Sequence, residues 1–158
     1  MFSPPRIWEN MTSTVQVKVM DASALKRRMY NWALPVGYAY ADAVFRKEAI
    51  PPILRLKQKL AYALVFRALK DRLGLLRIRS ASTGGAALGP DVFKFFTAMG
   101  VNLKQIYGQT EISGISCIHR EGDINFDSLG KPIPETEIRL SDSGESLARC
   151  PTGFRGYY

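Results

Sequence analysis

Between residues 75 and 112 the hydrophobic pattern changes from a period of two to a period of 3.6 and back again, and neither an all-helical nor an all-β fold accommodates that alternation. Leu76, Ile78 and Ser80 alternate with Arg77, Arg79 and Ala81, which predicts a strand running into the small-residue loop Ser82-Thr83-Gly84-Gly85-Ala86-Ala87. Gly89-Pro90-Asp91 then opens a helix. Pro suits the first helical position and Asp the positive end of the helix dipole. Val92, Phe95, Phe96 and Met99 follow at i, i+3, i+4 and i+7, and Gly100 closes the helix. Val101, Leu103 and Gln105, interleaved with Asn102, Lys104 and Ile106, predict a second strand that ends in Tyr107-Gly108-Gln109-Thr110-Glu111. The order strand, helix, strand is that of a parallel βαβ unit with a right-handed crossover. Both loops then leave the carboxyl ends of parallel strands, where open α/β sheets bind ligands.

The flanks are read around this unit. Residues 10–29 carry few breakers and are expected to be helical, although the β-branched run 12–19 also suits a strand. Asp21, Ala22 and Ser23 mark a helix start within it. Pro51-Pro52 and Gly74 punctuate a long helix over 53–73. Its middle, 60–66, is uncharged on every side, with Arg55, Lys57, Lys59, Lys70 and Arg72 crowding the two ends. A helix apolar all round its middle is expected to be packed between neighbours; the alternative is a helix lying on a membrane with its cations towards anionic lipid. Beyond Ser116 the texture changes to short strands and turns, with strands expected at 135–140 and 146–150 around a turn at Asp142-Ser143-Gly144. The expected fold class is α/β: a helical N-terminal half, a central βαβ piece and the start of a small antiparallel β subdomain, with residues 1–116 as the α/β segment and 117–158 as the β unit.

The 158 residues amount to about one domain. Charge is unevenly spread: residues 1–79 carry 15 basic and 5 acidic side chains, residues 80–158 carry 7 and 9. The basic half raises the question of an acidic partner, such as a membrane surface or phosphorylated ligand. No helix-turn-helix, zinc-finger or RNA-recognition pattern accompanies it, so no nucleic-acid partner is expected. Cys117 and Cys150 cannot build a disulfide scaffold and show no zinc spacing. A reduced, cytoplasmic setting is expected, with peripheral contact at the inner membrane face and a homo-oligomer both left open. No apolar run is long enough to span a bilayer, and the N-terminal residues lack a signal-peptide core.

Each loop has a plain and a chemical reading. Gly84 and Gly85 permit either a tight strand-to-helix turn or the close approach of a ligand to free backbone N–H groups. They match neither a dinucleotide fingerprint nor a Gly-Lys-Ser/Thr phosphate loop. In the second loop Tyr107 can stack on a planar base, Thr110 can hydrogen-bond a phosphate and Glu111 can offer a hard oxygen to Mg2+. Equally, Tyr107 can be core and Glu111 a helix-start residue. His119, two residues after Cys117, lacks an orienting third group and is not read as half of a nucleophilic pair. Arg77 and Arg79 are read as a solvated or salt-bridged strand face.

Taken together, Ser82-Thr83-Gly84-Gly85-Ala86, the helix from Pro90, Tyr107-Gly108-Gln109-Thr110-Glu111, and Gly130-Lys131-Pro132-Ile133-Pro134 with Glu137-Ile138 closely resemble the adenylate-forming, AMP-binding superfamily. Pro4-Pro5-Arg6-Ile7-Trp8-Glu9, and Gly144-Glu145 with Arg149, Pro151, Phe154, Gly156, Tyr157 and Tyr158, are similar to segments of its long-chain fatty acyl-CoA synthetases. The resemblance covers nearly the whole chain. It implies that Tyr107 stacks on adenine, that Gly108 and Gln109 shape that pocket, that Thr110 contacts the α-phosphate and that Glu111 helps bind Mg2+. It implies also that Gly84, Gly85 and Ala86 line the junction of adenine and acyl-carboxylate sites, with ATP, CoA and a fatty acid as substrates. The family's Ser/Thr/Gly-rich phosphate loop, ribose-binding Asp and late catalytic Lys have no counterpart here, so the chain is expected to be the middle portion of a synthetase, inactive alone. A ligase for another carboxylic acid and a non-catalytic nucleotide- or membrane-binding module are the alternatives.

Overall fold

In the computed structural model, which describes residues 1–125 and 127–158, the β-strands divide into two sheets. In the larger, β1 (Phe2–Ser3), β2 (Ala81–Thr83) and β3 (Leu103–Tyr107) run parallel, with Ala81 opposite Leu103 and Thr83 opposite Gln105. β4 (Cys117–Ile118) then pairs antiparallel with β3, and β5 (Lys131–Pro132) antiparallel with β4. The second sheet is the hairpin of β6 (Glu137–Leu140) and β7 (Ser146–Arg149), whose turn is closed by Ser141 N–H donating to Glu145 O and by Gly144 at φ 81°. The main sheet therefore extends past residue 116 through β4 and β5, and the hairpin is a sheet of its own.

The first strand of the βαβ unit begins later than the alternation predicts. Residues 75–79 turn back on themselves, with Leu75 N–H donating to Lys70 O and Ile78 N–H to Leu75 O, and the ladder starts only at Ala81. Those local bonds take the donors that a ladder would have used. Arg77 and Arg79 consequently stand exposed on a turn, not on a strand face.

Helices fill much of the remainder. α1 (Pro5–Met20) and α2 (Ala24–Phe45) resolve the ambiguity at 10–29 in favour of helix, with a break at 21–23. α3 (Pro52–Ala61) passes through a π-helical turn (Tyr62–Phe66) into α4 (Arg67–Arg72), and Gly74, at φ 71°, closes the run. A left-handed glycine just beyond the last turn is a common helix stop. The long helix expected at 53–73 is thus present, but the π turn carries one extra residue in its hydrogen-bonded ring.

This run is packed on one side only. Ala61, Val65 and Phe66 are buried, whereas Leu60 and Leu64 are each 50% exposed and Ile53 and Leu56 each 69%. The uncharged middle is therefore not enclosed, because α2 and α5 (Pro90–Ala98) meet a single face of it. α5 itself is covered on two faces: of the expected stripe Phe95, Phe96 and Met99 are buried and Val92 half-buried, and Phe93, whose ring lies 6.0 Å from that of His119, is buried too. Trp8 of α1 meets Phe96 edge to face at 4.9 Å.

Two polar side chains finish the C-terminal end of α5. Gln58 Nε2 donates to Ala98 O at 2.7 Å and Lys70 Nζ to Gly100 O at 3.0 Å. Carbonyls in a last helical turn lack intrahelical donors, so these bonds satisfy groups that would otherwise be orphaned. Burial pushes the Lys70 ammonium pKa down. Among the described residues no helix is long and apolar enough to cross a membrane.

Two predictions follow from this packing. A Cβ on Gly37 of α2 would lie 2.8 Å from both Ala98 Cβ and Phe66 Cζ, so Gly37→Val should lower stability by about 1–3 kcal/mol, read from the urea midpoint. Asp123 accepts from Lys131 at 2.6 Å and Lys47 at 2.7 Å, which hold its pKa down, from 3.8 to about 2. A depressed carboxylate stabilises the fold above its unfolded pKa, so the stability difference between the native chain and Asp123→Asn should be full above pH 3.8 and fade as the pH falls to about 2.

Candidate functional site

Both loops expected to carry chemistry lie at the carboxyl ends of β2 and β3. Gly84 is buried, and a Cβ there would stand 3.2 Å from Ile106 O and from the Phe2 ring, so the loop lies directly on the end of β3. Gly85 takes a positive φ of 90° with open space around it, and Ala86 is exposed.

A side chain not singled out from the sequence ties the first loop to β3. Gln105, buried in β3, donates from Nε2 to Ala86 O at 3.1 Å and to Ile106 O at 3.2 Å. Beside it in register stands Thr83, fully buried, and neither Thr83 Oγ1 nor Gln105 Oε1 has a hydrogen-bond partner among the described residues. The signal available in the sequence was an amide at an inward-facing position of a strand, where an apolar residue is the norm.

The second loop is compact. A Cβ on Gly108 would fall 1.4 Å from Gly114 O, so only glycine lets the two backbones lie against each other there. Gln109 Nε2 donates to the Tyr107 hydroxyl at 2.7 Å, and Ser116 N–H to Tyr107 O at 2.9 Å. Tyr107 is half-buried; Gly108, Gln109 and Thr110 are exposed. Thr110–Ile112 form one 3-10 turn, stopped by Ser113 at φ 57°.

Glu111 in this turn is held by the C-terminal segment. Its Oε1 accepts from the Tyr157 hydroxyl, and its backbone O accepts from Phe154 N–H at 2.9 Å. Ser113 Oγ donates to Thr152 O and Thr152 Oγ1 to Ile112 O, at 2.7 and 3.2 Å. The rings of Phe154 and Tyr157 meet edge to face at 4.8 Å. The Tyr157 hydrogen bond, and then its own backbone N–H, keep the Glu111 carboxyl below its usual pKa, while the same bond raises that of Tyr157. Among the described residues no group of three or more His, Cys, Asp or Glu is gathered for a metal. Glu111 alone, held ionised, fits an ion of the Mg2+ kind, which binds through one or two carboxylates and completes its shell with phosphate oxygens and water.

Cys117 and His119 stay outside this chemistry. His119 is buried, its Nδ1 accepts from Gln105 N–H at 3.1 Å and its Nε2–H donates to Ser128 O at 2.7 Å, so one ring nitrogen serves β3 and the other the loop before β5. Burial pushes the Cys117 thiol up, away from the reactive thiolate.

A family model described as AMP-binding enzyme matches residues 1–158. Among similar proteins, the long-chain-fatty-acid–CoA ligase FadD15 of Mycobacterium bovis is 32% identical over 156 residues, covering 99% of this chain and 25% of the relative. The long-chain-fatty-acid–CoA ligase ACSBG2 of Xenopus laevis is 31% identical over 158 residues, covering 97% and 21%. The chain thus spans about a quarter of the length of the relatives it matches. A solved benzoate CoA ligase from Burkholderia xenovorans aligns with 63% of this chain and 23% of its own, at 23% identity and a TM-score of 0.48.

Because the Tyr157 hydroxyl contributes most to the lowered Glu111 pKa, Tyr157→Phe should return the Glu111 carboxyl towards the ordinary 4.5 of a glutamate. Carboxyl-carbon NMR across an acid titration reads this directly; an unmoved midpoint would show that the contact is not made in solution.

Proposed function

The chain belongs to the family of AMP-binding enzymes, and we propose that it forms part of an ATP-dependent ligase that joins a long-chain fatty acid to CoA. In that reaction the fatty-acid carboxylate oxygen attacks the α-phosphorus of ATP, the bond to the bridging oxygen breaks and pyrophosphate leaves with acyl-AMP formed. The CoA thiol then attacks the acyl carbon, loses its proton, and AMP departs. Such chemistry is served mainly by positioning and by neutralising charge.

The observation that carries this reading is the bond from Gln105 to Ala86, which ties the first loop to β3, the strand that ends in the second. Tyr107 is the face for adenine, its hydroxyl end fixed by Gln109. Gly108, pressed against Gly114, shapes the same pocket. Thr110, exposed at the start of the 3-10 turn, reaches the α-phosphate. Gly84, Gly85 and Ala86 line the passage between adenine and the acyl carboxylate, where the absence of large side chains leaves room for the carbonyl. Glu111 is the group that would hold Mg2+, which when bound neutralises charge on the phosphate oxygens. Fatty acid, ATP and CoA are the proposed partners, in the cytoplasm.

Calorimetric titration of the chain with ATP tests this. Stacking of a base on an aromatic ring contributes about 1–3 kcal/mol, so Tyr107→Ala should weaken binding about tenfold or more. Glu111→Gln should remove the dependence of ATP affinity on Mg2+ while sparing AMP. ATP affinity that is unaltered in both variants would overturn the assignment of this loop.

A further inference from the structure

A groove of ≈ 240 Å³ runs between α1, the start of α2, and the π turn with α4, and none of its lining residues belongs to either loop at the carboxyl ends of β2 and β3. Its floor is made by Val15, Tyr30 and Val65, all buried. Two of its walls repeat single helical faces, with Val15, Val19 and Ala22 in one and Leu64, Ala68 and Arg72 in the other. The second wall runs from Leu64 to Leu73, about 13 Å at the rise of a helix. Lys18, Lys26 and Arg72 stand exposed along the groove, one from each helix. Among the described residues none of the three makes an ion pair, and no acidic residue lines the groove.

The volume lies below the roughly 300–1,000 Å³ of pockets that enclose a whole small molecule, and so suits the anchoring side chains of a larger partner. The floor is recessed, whereas a bilayer surface meets side chains that protrude. A slot about two helical turns long matches an amphipathic helix, whose apolar anchors at i, i+4 and i+7 span about 10 Å. Ala68, exposed in the wall, leaves room for a bulky anchor. Three cations on three helices, without a counter-charge, complement carboxylates that flank such anchors. Ala22 and Lys26 also bring the N-terminus of α2 into the lining. Its first turn holds no acid and Ser23 makes no side-chain cap, so the positive end of a 22-residue helix is left to a carboxylate from outside.

We propose that this groove docks an acidic amphipathic α-helix of a partner protein, its apolar side chains seated over Val15 and Val65 and its carboxylates paired with Lys18, Lys26 and Arg72. The site does not rest on the reading of the nucleotide loop. The probe is a synthetic peptide of about 18 residues, five helical turns, with leucine at i, i+4 and i+7 and glutamate beside those positions. Its controls are a scrambled peptide of the same composition and a copy with lysine in place of every glutamate. In calorimetric titration the acidic peptide should bind about tenfold or more tightly than either control, and its helical dichroism should rise on binding. Lys18→Glu with Arg72→Glu, both exposed, should weaken that binding about tenfold or more by setting like charges together. Arg55→Glu with Lys57→Glu, equally exposed but outside the groove, should leave it within about twofold. Ala68→Phe, which fills the groove, should abolish binding, and the charge-reversed pairs carry the test should the larger side chain perturb folding as read by circular dichroism. Failure of the acidic peptide to bind would overturn the proposal, as would equal affinity for the scrambled peptide or full affinity in Ala68→Phe with native dichroism. Equal losses in the two charge-reversed pairs would also overturn it, reducing the effect to net charge. Binding to phosphatidylglycerol vesicles, or self-association of the chain, with the peptide left unbound would overturn it too and give the groove to a membrane or to a second copy. ATP affinity is not part of this readout, so failure here leaves the nucleotide assignment standing.

Discussion

The position of α5 governs the rest of the molecule. β2 has three residues and β3 five, and ladders that short contribute little stability by themselves. What sets them in register is the helix that joins them, buried on one face by Phe93 against the sheet region around His119 and on another by Phe96 against Trp8. α2 can approach it closely only because position 37 has no side chain, and Phe66 enters the same space. Gln58 of α3 and Lys70 of α4 then complete its C-terminal carbonyls. Loops at the ends of β2 and β3 inherit their placement from this arrangement, which rests on helix packing more than on strand pairing.

How much of this could be read beforehand depended on how local the cause was. The helix at 90–98 was legible because Gly89-Pro90-Asp91, the spacing of Phe95, Phe96 and Met99, and Gly100 all act within one element. The strand expected from residue 76 begins only at Ala81, because alternation at Leu76 and Ile78 says nothing about whether a neighbour offers a ladder, and a turn took donors there instead. The π turn in the helix from Pro52 was invisible for a similar reason: one extra residue per turn alters no composition and no end signal. At the site, the two glycine-bearing loops were visible as motifs. The bridging role of Gln105 was not, since its place in the alternation accounted for it without a hydrogen bond. Tyr157 belonged to a recognised segment, but its partnership with Glu111 spans 46 residues and follows from tertiary structure alone.

Charge is also organised by position. In the helical half, among the described residues, Lys18, Lys26 and Arg72 make no ion pair, and Lys70 is buried on a carbonyl without a carboxylate partner. Nearer the sheet, Asp123 gathers Lys47 from beyond the end of α2 and Lys131 from β5, an arrangement that ties the turn after α2 to the edge strand. Glu111 differs from both, because its stabilising partner is a neutral hydroxyl. Such a carboxylate keeps its full negative charge available to a cation.

The segment that reaches Glu111 has consequences for how the loop opens. Residues 150–158 contain no strand or helix, and they are joined to the 3-10 turn by a few hydrogen bonds from Thr152, Phe154 and Tyr157 at partly or fully exposed positions. Bonds of that kind sit at the low end of the range of local opening free energies. Tyr107 is different, since its carbonyl is bonded into the sheet through Ser116 N–H. Five consecutive residues therefore divide into a half that exchanges its amide protons with the core and a half that exchanges with the tail, and the dividing line falls between the ring that would meet a base and the carboxylate that would meet a cation.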